Sequence, residues 1–200
     1  MKAPLEFYFD FTSPYGYLAS RRIEALAAKH GRSVNWRPYL LGAAFKLTGG
    51  APPIGVPLKS DYAKRDFERS ARFHGVPYRA PSVFPVATVA ACRAYYWLAD
   101  QDPARAVALA KALYEAYFVN DVNISDPENV IRAAVACGRD AGEVRAALND
   151  PAVKDRTRAA VDAAIAGGAF GSPWVVADGE PFWGVDRFDQ LDRWLERGGF

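Results

Sequence analysis

The segment Phe9-Asp10-Phe11-Thr12-Ser13-Pro14-Tyr15-Gly16-Tyr17-Leu18 joins an apolar run to the start of a helix. Leu5 to Phe11 is rich in aromatic residues, which is typical of a strand buried on both faces. Thr12 or Ser13 is a favourable helix cap, and Pro14 suits the first helical turn. The segment therefore predicts a central strand that passes directly into a helix, and Gly31 ends that helix.

Outward from this junction, a second strand is predicted at Val34 to Leu40, and the right-handed crossover rule makes the two strands parallel. Leu41 to Pro57 is rich in glycine and proline and predicts a loop. Ser125 and Glu128 have the spacing of a capping box. Apolar periodicity predicts six helices, at Ser60–Phe73, Pro85–Leu98, Pro103–Phe118, Pro127–Cys137, Ala141–Leu148 and Pro151–Ala166.

The C-terminal part changes character after Gly167-Gly168. Trp174 to Ala177 and Glu180 to Trp183 flank an Asp178-Gly179 turn, which predicts an antiparallel hairpin. An amphipathic helix at Asp186 to Arg197 closes the chain. This order of elements is that of an α/β thioredoxin-like fold with a large all-helical insertion. We expect residues 1–58 and 167–200 to form the thioredoxin-like domain and residues 59–166 the helical insertion domain.

The composition excludes several classes of function. Half of the 200 residues are apolar, which suits one globular domain with its own core. The formal net charge of +2, from 25 basic and 23 acidic residues, gives no large positive field, so we expect no nucleic-acid partner. Apolar stretches such as Ala104 to Leu113 are far shorter than the roughly 20 residues of a membrane span. Because Met1 to Glu6 runs straight into a strand pattern, we expect a cytoplasmic protein.

Only two cysteines occur, Cys92 and Cys137. They are 45 positions apart in alanine-rich segments, so we expect neither a disulfide framework nor a metal site. Redox proteins of the thioredoxin-like fold carry Cys-Pro-x-Cys where this chain has Ser13-Pro14-Tyr15-Gly16. Dithiol exchange needs one thiolate to attack and another to resolve, so the sequence excludes it here.

Two later motifs complete a candidate site. Gly171-Ser172-Pro173 precedes the third strand, where the fold places a cis-proline, and the Ser172 backbone is expected to be free to pair with an extended peptide. Trp183 to Arg187 lies at the start of the last helix, whose N–H groups favour a carboxylate. Asp186 there suits an ammonium group. A γ-glutamyl end carries both charges, which makes glutathione the natural candidate ligand.

Taken together, Phe9-Asp10-Phe11-x-Ser13-Pro14-Tyr15-x-Tyr17-Leu18, Gly171-Ser172-Pro173 and Phe182-Trp183-Gly184-Val185-Asp186-Arg187 resemble the 2-hydroxychromene-2-carboxylate isomerase family. These enzymes are relatives of kappa-class glutathione transferases in the DsbA-like branch. The resemblance spans essentially the whole chain. It implies an active serine at Ser13. It also implies two sets of ligand contacts: glutathione contacts at Ser172, Pro173, Trp183, Gly184, Val185 and Asp186, and contacts to an aromatic carboxylate substrate at Lys46, Tyr15 and Phe84.

The activity that the resemblance implies is glutathione-dependent interconversion of 2-hydroxychromene-2-carboxylate and trans-o-hydroxybenzylidenepyruvate. Ser13 would donate a hydrogen bond to the glutathione sulfur and favour the thiolate, and glutathione would not be consumed. A homodimer is implied, and no metal. The chain departs from its relatives at Pro53-Ile54, at Phe84, which replaces a tyrosine, and at Ala87, which replaces an asparagine. These changes leave the aromatic substrate open.

Structural roles compete with several of these assignments. Ser13 is a plain helix cap in one interpretation, although the later motifs favour the catalytic role. Core packing and ligand contact are equally expected for Trp183, and Asp186 is equally expected as a helix cap. Lys59 is a second candidate, beside Lys46, to pair with the substrate carboxylate. Both are solvated loop lysines in the alternative view, which we favour for Lys59.

Two other functions remain open. A kappa-like glutathione transferase or peroxidase would use the same thiolate but consume it. A non-catalytic thioredoxin-like protein would hold a peptide against Ser172-Pro173.

Overall fold

A computed structural model describes residues 2–200. Residue 1, at which the predicted thioredoxin-like domain begins, lies outside this range. The strands of the structure are β1 Leu5–Phe9, β2 Val34–Pro38, β3 Trp174–Ala177 and β4 Glu180–Trp183. They form a four-stranded sheet with the order β2-β1-β3-β4. β1 pairs with β2 in parallel and with β3 in antiparallel orientation, and β3 pairs with β4 as the predicted hairpin. This arrangement confirms the thioredoxin-like fold.

Helices follow β1, β2 and β4, and they make up most of the long segment between β2 and β3. They are α1 Pro14–Ser20, α2 Ile23–Lys29, α3 Leu41–Thr48, α4 Lys59–Phe73, α5 Val89–Ala99, α6 Pro103–Phe118, α7 Pro127–Ala136, α8 Ala141–Asn149, α9 Pro151–Ala166 and α10 Phe188–Arg197. A short 3₁₀ turn at Val185–Arg187 precedes α10. No helix between residues 2 and 200 combines the length and the apolar composition needed to cross a bilayer.

β1 is a central strand of the sheet, as the sequence predicts, but it ends at Phe9, and only one of its faces is completely buried. Leu5, Phe7 and Phe9 are fully buried, and the rings of Phe7 and Phe9 stack with centroids 4.9 Å apart. The Phe9 ring also lies 5.6 Å from that of Tyr114 on α6. The sheet and the helical segment therefore share one hydrophobic core. The division into residues 1–58 with 167–200 and residues 59–166 stays a prediction.

The predicted loop at Leu41 to Pro57 is wrong in its first half, because Leu41–Thr48 forms α3. This segment is rich in alanine and leucine, which favour helix, and Gly49 ends it in a left-handed conformation with φ 70°. Only the glycine- and proline-rich residues that follow are irregular. Lys46 consequently lies on a helix.

Other boundaries also shift. The first predicted helix is divided into α1 and α2 at Arg21-Arg22. The helix predicted from Pro85 begins only at Val89, and the residues before it are irregular. α7 is capped by Asp126, whose carboxylate accepts from the Glu128 N–H, and not by the predicted capping box.

Candidate active site

Ser13 is the N-cap of α1, as the sequence predicts. Its backbone is extended, with φ −86° and ψ 117°, and its Oγ accepts from the Gly16 N–H at 3.0 Å. The same hydroxyl donates to the backbone carbonyl of Ser172 at 2.8 Å. Ser13 is therefore a helix cap and, in addition, the direct link between α1 and the turn that precedes β3.

The Ser172-Pro173 peptide is cis, and Ser172 is buried. Its Oγ accepts from the Asp10 N–H at 2.9 Å. The prediction that both Ser172 backbone groups are free is wrong for the carbonyl, which the Ser13 hydroxyl occupies. Within residues 2–200, the Ser172 N–H has no hydrogen-bond acceptor. One donor of this short backbone edge is thus unpaired within the described residues.

Gly16 occupies the position at which redox proteins of this fold carry their second cysteine, and there is no room for a side chain there. A Cβ there would lie 2.7 Å from the Ser172 Oγ and 2.7 Å from the Tyr114 phenol oxygen, closer than real Cβ contacts. The chain's own cysteines are both free, and burial raises the thiol pKa of Cys92 and of Cys137. Thiolate chemistry at Ser13 therefore requires a thiol from outside the chain.

Trp183 is a surface platform and not a core residue, because 56% of it is exposed. Its indole lies across Gly171, where an added Cβ would overlap the indole nitrogen. The Phe170 ring packs against it with centroids 4.8 Å apart. The following N–H, of Gly184, donates to the Pro173 carbonyl at 3.0 Å. Together these contacts fix Trp183 beside the cis-proline turn.

The two remaining predicted glutathione contacts differ in exposure. Val185 is 4% exposed, so its side chain belongs to the core. Asp186 is largely exposed and pairs with Arg187 at 3.4 Å. The expectation that Asp186 caps the last helix is wrong, because neither the 3₁₀ turn nor α10 has a side-chain cap. Its carboxylate packs against Gly184, which adopts φ 105°.

The predicted substrate residues Tyr15 and Phe84 are brought together by α4. Phe67 of α4 lies 5.1 Å from the Tyr15 ring and 6.1 Å from the Phe84 ring, centroid to centroid. The Tyr15 hydroxyl donates to Asp66, and burial together with this carboxylate raises the Tyr15 pKa. These aromatic rings form a wall beside the first turn of α1.

Lys46 and Lys59 lie on exposed surface at the end of α3 and the start of α4. No hydrogen bond or ion pair within residues 2–200 joins either ammonium group to Ser13. Lys46 is connected to the site only through its helix, because the Leu41 N–H at the start of α3 donates to Asp10 at 2.7 Å.

Asp10, for which no motif predicts a role, lies at the centre of the site. Between residues 2 and 200, six polar residues are buried, and four of them are Asp10, Ser13, Thr88 and Ser172. Burial raises the Asp10 pKa, against hydrogen bonds from Thr88, Thr12 and Leu41 that lower it. The available signal was a charged residue inside an otherwise apolar, buried run, because such a charge needs partners.

Comparisons with known proteins agree with this fold. A family model for the DSBA-like thioredoxin domain matches residues 4–196. A 2-hydroxychromene-2-carboxylate isomerase of Sphingobium xenophagum is 31% identical over 197 residues, covering 98% of this chain and 99% of its own. Glutathione S-transferase kappa 1 of Caenorhabditis elegans is 27% identical, covering 96% and 91%. A solved 2-hydroxychromene-2-carboxylate isomerase structure superposes with a TM-score of 0.87 at 26% identity, covering 96% and 94%.

Proposed function

The chain belongs to the DSBA-like thioredoxin domain family, and on this premise we propose that it is a glutathione-dependent isomerase of an aromatic carboxylate. The proposed reaction interconverts 2-hydroxychromene-2-carboxylate and trans-o-hydroxybenzylidenepyruvate. Full-length similarity to an isomerase of that name supports the substrate class, and similarity to kappa-class transferases supports glutathione. The observation that carries the proposal is a buried serine hydroxyl at the position of the missing attacking thiol, beside a cis-proline turn.

The residues present fit a glutathione tripeptide. The Ser172 N–H is an open donor next to the Ser13 hydroxyl, which suits the carbonyl of an extended peptide. Trp183 offers an exposed aromatic face beside that edge. Asp186 is exposed and close to the exposed end of β4, where it would meet an ammonium group.

When bound, glutathione supplies a nucleophilic thiol. The Ser13 hydroxyl has one proton, which the Ser172 carbonyl now accepts. Rotation of that hydroxyl toward the sulfur would stabilise the thiolate and lower its pKa, since a hydrogen bond to the charged form favours it. The same rotation releases the Ser172 carbonyl, which is then free to accept from a peptide N–H. Ser13 thus acts as a stabiliser of charge and not as a nucleophile.

The aromatic wall of Tyr15, Phe67 and Phe84 would hold the rings of the substrate. Lys46 would pair with its carboxylate as a mobile point charge. The chain would work in the cytoplasm, where thiols are kept reduced, which suits the two free cysteines. A homodimer belongs to the same proposal.

A kappa-like transferase or peroxidase is the second candidate, because the same Ser13 arrangement serves both reactions and kappa-class relatives match the chain along its length. A peptide-binding protein without catalysis is the third, supported by the open Ser172 N–H.

The test measures the conversion of 2-hydroxychromene-2-carboxylate and the concentration of free thiol in the same reaction, with and without reduced glutathione. The isomerase proposal expects conversion that depends on glutathione while the amount of free thiol stays constant. Loss of one thiol per turnover with an electrophile would favour the transferase. The proposal would be contradicted if conversion were equally fast without glutathione, or if no conversion occurred when glutathione is present.

A further inference from the structure

Asp10 accepts hydrogen bonds from five residues around the candidate site. Its Oδ1 accepts from the Thr88 hydroxyl at 2.7 Å and from the Thr12 N–H at 3.1 Å, while Oδ2 accepts from the Leu41 N–H at 2.7 Å. Its backbone carbonyl accepts from the Ser13 N–H and the Tyr114 hydroxyl. Asp10 is 3% exposed, so each lost partner leaves a buried charge less well compensated.

The contact to Leu41 connects Asp10 to the first turn of α3. Leu41 is the first residue of α3, and the preceding Leu40 provides no side-chain cap. The Asp10 carboxylate therefore satisfies an N–H that would otherwise be unpaired at the helix start, across 31 positions of sequence. The last turn of the same helix carries Lys46.

We propose that Asp10 is a positioning residue that sets α3, and with it Lys46, relative to the Ser13 hydroxyl. Its backbone is hydrogen-bonded to Ser13 and Ser172, and its carboxylate is hydrogen-bonded to the start of α3. One residue thus contacts both the serine pair and the helix that carries Lys46. This inference rests on the proposed function for the role of Lys46 in binding the substrate carboxylate.

Two variants disrupt the hydrogen bond between the Leu41 N–H and the Asp10 carboxylate, one at the acceptor and one at the donor. Asp10→Asn replaces one carboxylate oxygen with a donor, which cannot serve all three N–H and O–H partners. Leu41→Pro deletes the N–H and also replaces a leucine side chain that packs against the cluster around Tyr39. Leu41→Ala, which shortens this side chain but keeps the N–H, controls for that second change. Proline suits the first helical position, and Leu40, with φ −97° and ψ 102°, already has the extended backbone that a residue before proline adopts. Thr88→Val is the matched control, because it removes another hydrogen bond to Asp10 and leaves α3 attached.

Steady-state kinetics then give a split between KM and kcat. Asp10→Asn and Leu41→Pro should each raise KM for the carboxylate substrate about three- to tenfold, while kcat and the glutathione Kd stay within about twofold. Their double variant should be no worse than either single one, and neither should raise KM further in a Lys46→Ala background. A wild-type KM in Leu41→Pro, or an equal rise in Thr88→Val, would overturn the inference.

Amide hydrogen exchange across residues 42–46 needs no substrate and separates this inference from the proposed function. Faster exchange in Asp10→Asn and Leu41→Pro than in Thr88→Val supports the positioning role, even if the wild type proves inactive on the carboxylate. Equal exchange in all three variants and the wild type overturns it, whatever the activity.

Discussion

The hydroxyl of Ser13 donates its one proton to the backbone carbonyl of Ser172, 2.8 Å away and 159 positions later in the sequence. This bond joins the helix that begins the candidate site to the cis-proline turn that completes it. Any ligand sulfur stabilised by Ser13 must compete with that carbonyl for the proton, so ligand binding and the Ser13–Ser172 contact are coupled.

Ser13→Ala tests that coupling. The variant loses a donor to the thiolate, so we expect turnover to fall about 10- to 100-fold while glutathione Kd stays within about threefold. It also loses the cap on the Gly16 N–H, which should cost about 1 kcal/mol of unfolding free energy. Ser20→Ala, which removes another buried hydroxyl from the same helix, is the control and should keep full turnover. Full turnover in Ser13→Ala would show that Ser13 is only a cap.

Gly171→Ala tests the Trp183 platform. The added methyl group overlaps the indole, which must move away from the turn, so we expect a lower glutathione affinity and an altered tryptophan emission spectrum. Gly42→Ala is the control, because a Cβ there meets nothing within 4 Å, and alanine in a helix is about 0.5 to 1 kcal/mol more favourable than glycine. An unchanged Kd in Gly171→Ala would remove Trp183 from the binding site.

Tyr15→Phe separates the ring of Tyr15 from its hydroxyl. The hydroxyl is committed to Asp66, so its loss should lower unfolding free energy by about 1 kcal/mol, while the retained ring keeps turnover within about twofold. Tyr62→Phe removes a solvent-exposed hydroxyl that accepts from Arg69 at 3.2 Å and should leave stability nearly unchanged. A large loss of turnover at unchanged stability would instead place the Tyr15 hydroxyl on the substrate.

The pH dependence of stability should reveal Asp10. Burial raises its pKa above the ordinary value of 3.8, so the folded state holds the Asp10 proton to higher pH than the unfolded chain. The stabilising contribution of this proton is complete below pH 3.8 and is lost as pH rises through the raised pKa. The stability advantage of the wild type over Asp10→Asn should therefore shrink with rising pH in denaturant titrations. A growing advantage would mean that hydrogen bonds lower the pKa more than burial raises it.

Local sequence patterns predicted the parts of the fold whose causes are local. The β1 aromatic run, the Ser13 cap and the Asp178-Gly179 hairpin each depend on neighbouring residues, and each was confirmed. α3 was missed because the partner of its first N–H is Asp10, far upstream, while the glycines and prolines after it favoured a loop. Hydrophobic periodicity did not locate the helix ends near Arg21 and Pro85, because such patterns define helix boundaries less well than the existence of a helix.

The candidate site was predictable only where a motif marked it. Ser13 and Ser172-Pro173 are in contact as the motifs suggested. The Asp10 cluster depends on Thr88 and Tyr114, 78 and 104 positions away, which no spacing rule connects. The need for glycine at 171 likewise arises from an indole that comes from β4.

Titration of the protein with reduced glutathione, followed by tryptophan fluorescence, tests the central claim most directly. We expect a saturable change at millimolar or lower glutathione that is strongly reduced in Trp183→Phe and retained in Trp97→Phe, whose indole packs under Arg139 on the helical insertion. An absence of saturable change at millimolar glutathione would contradict both enzyme proposals and leave a peptide-binding protein.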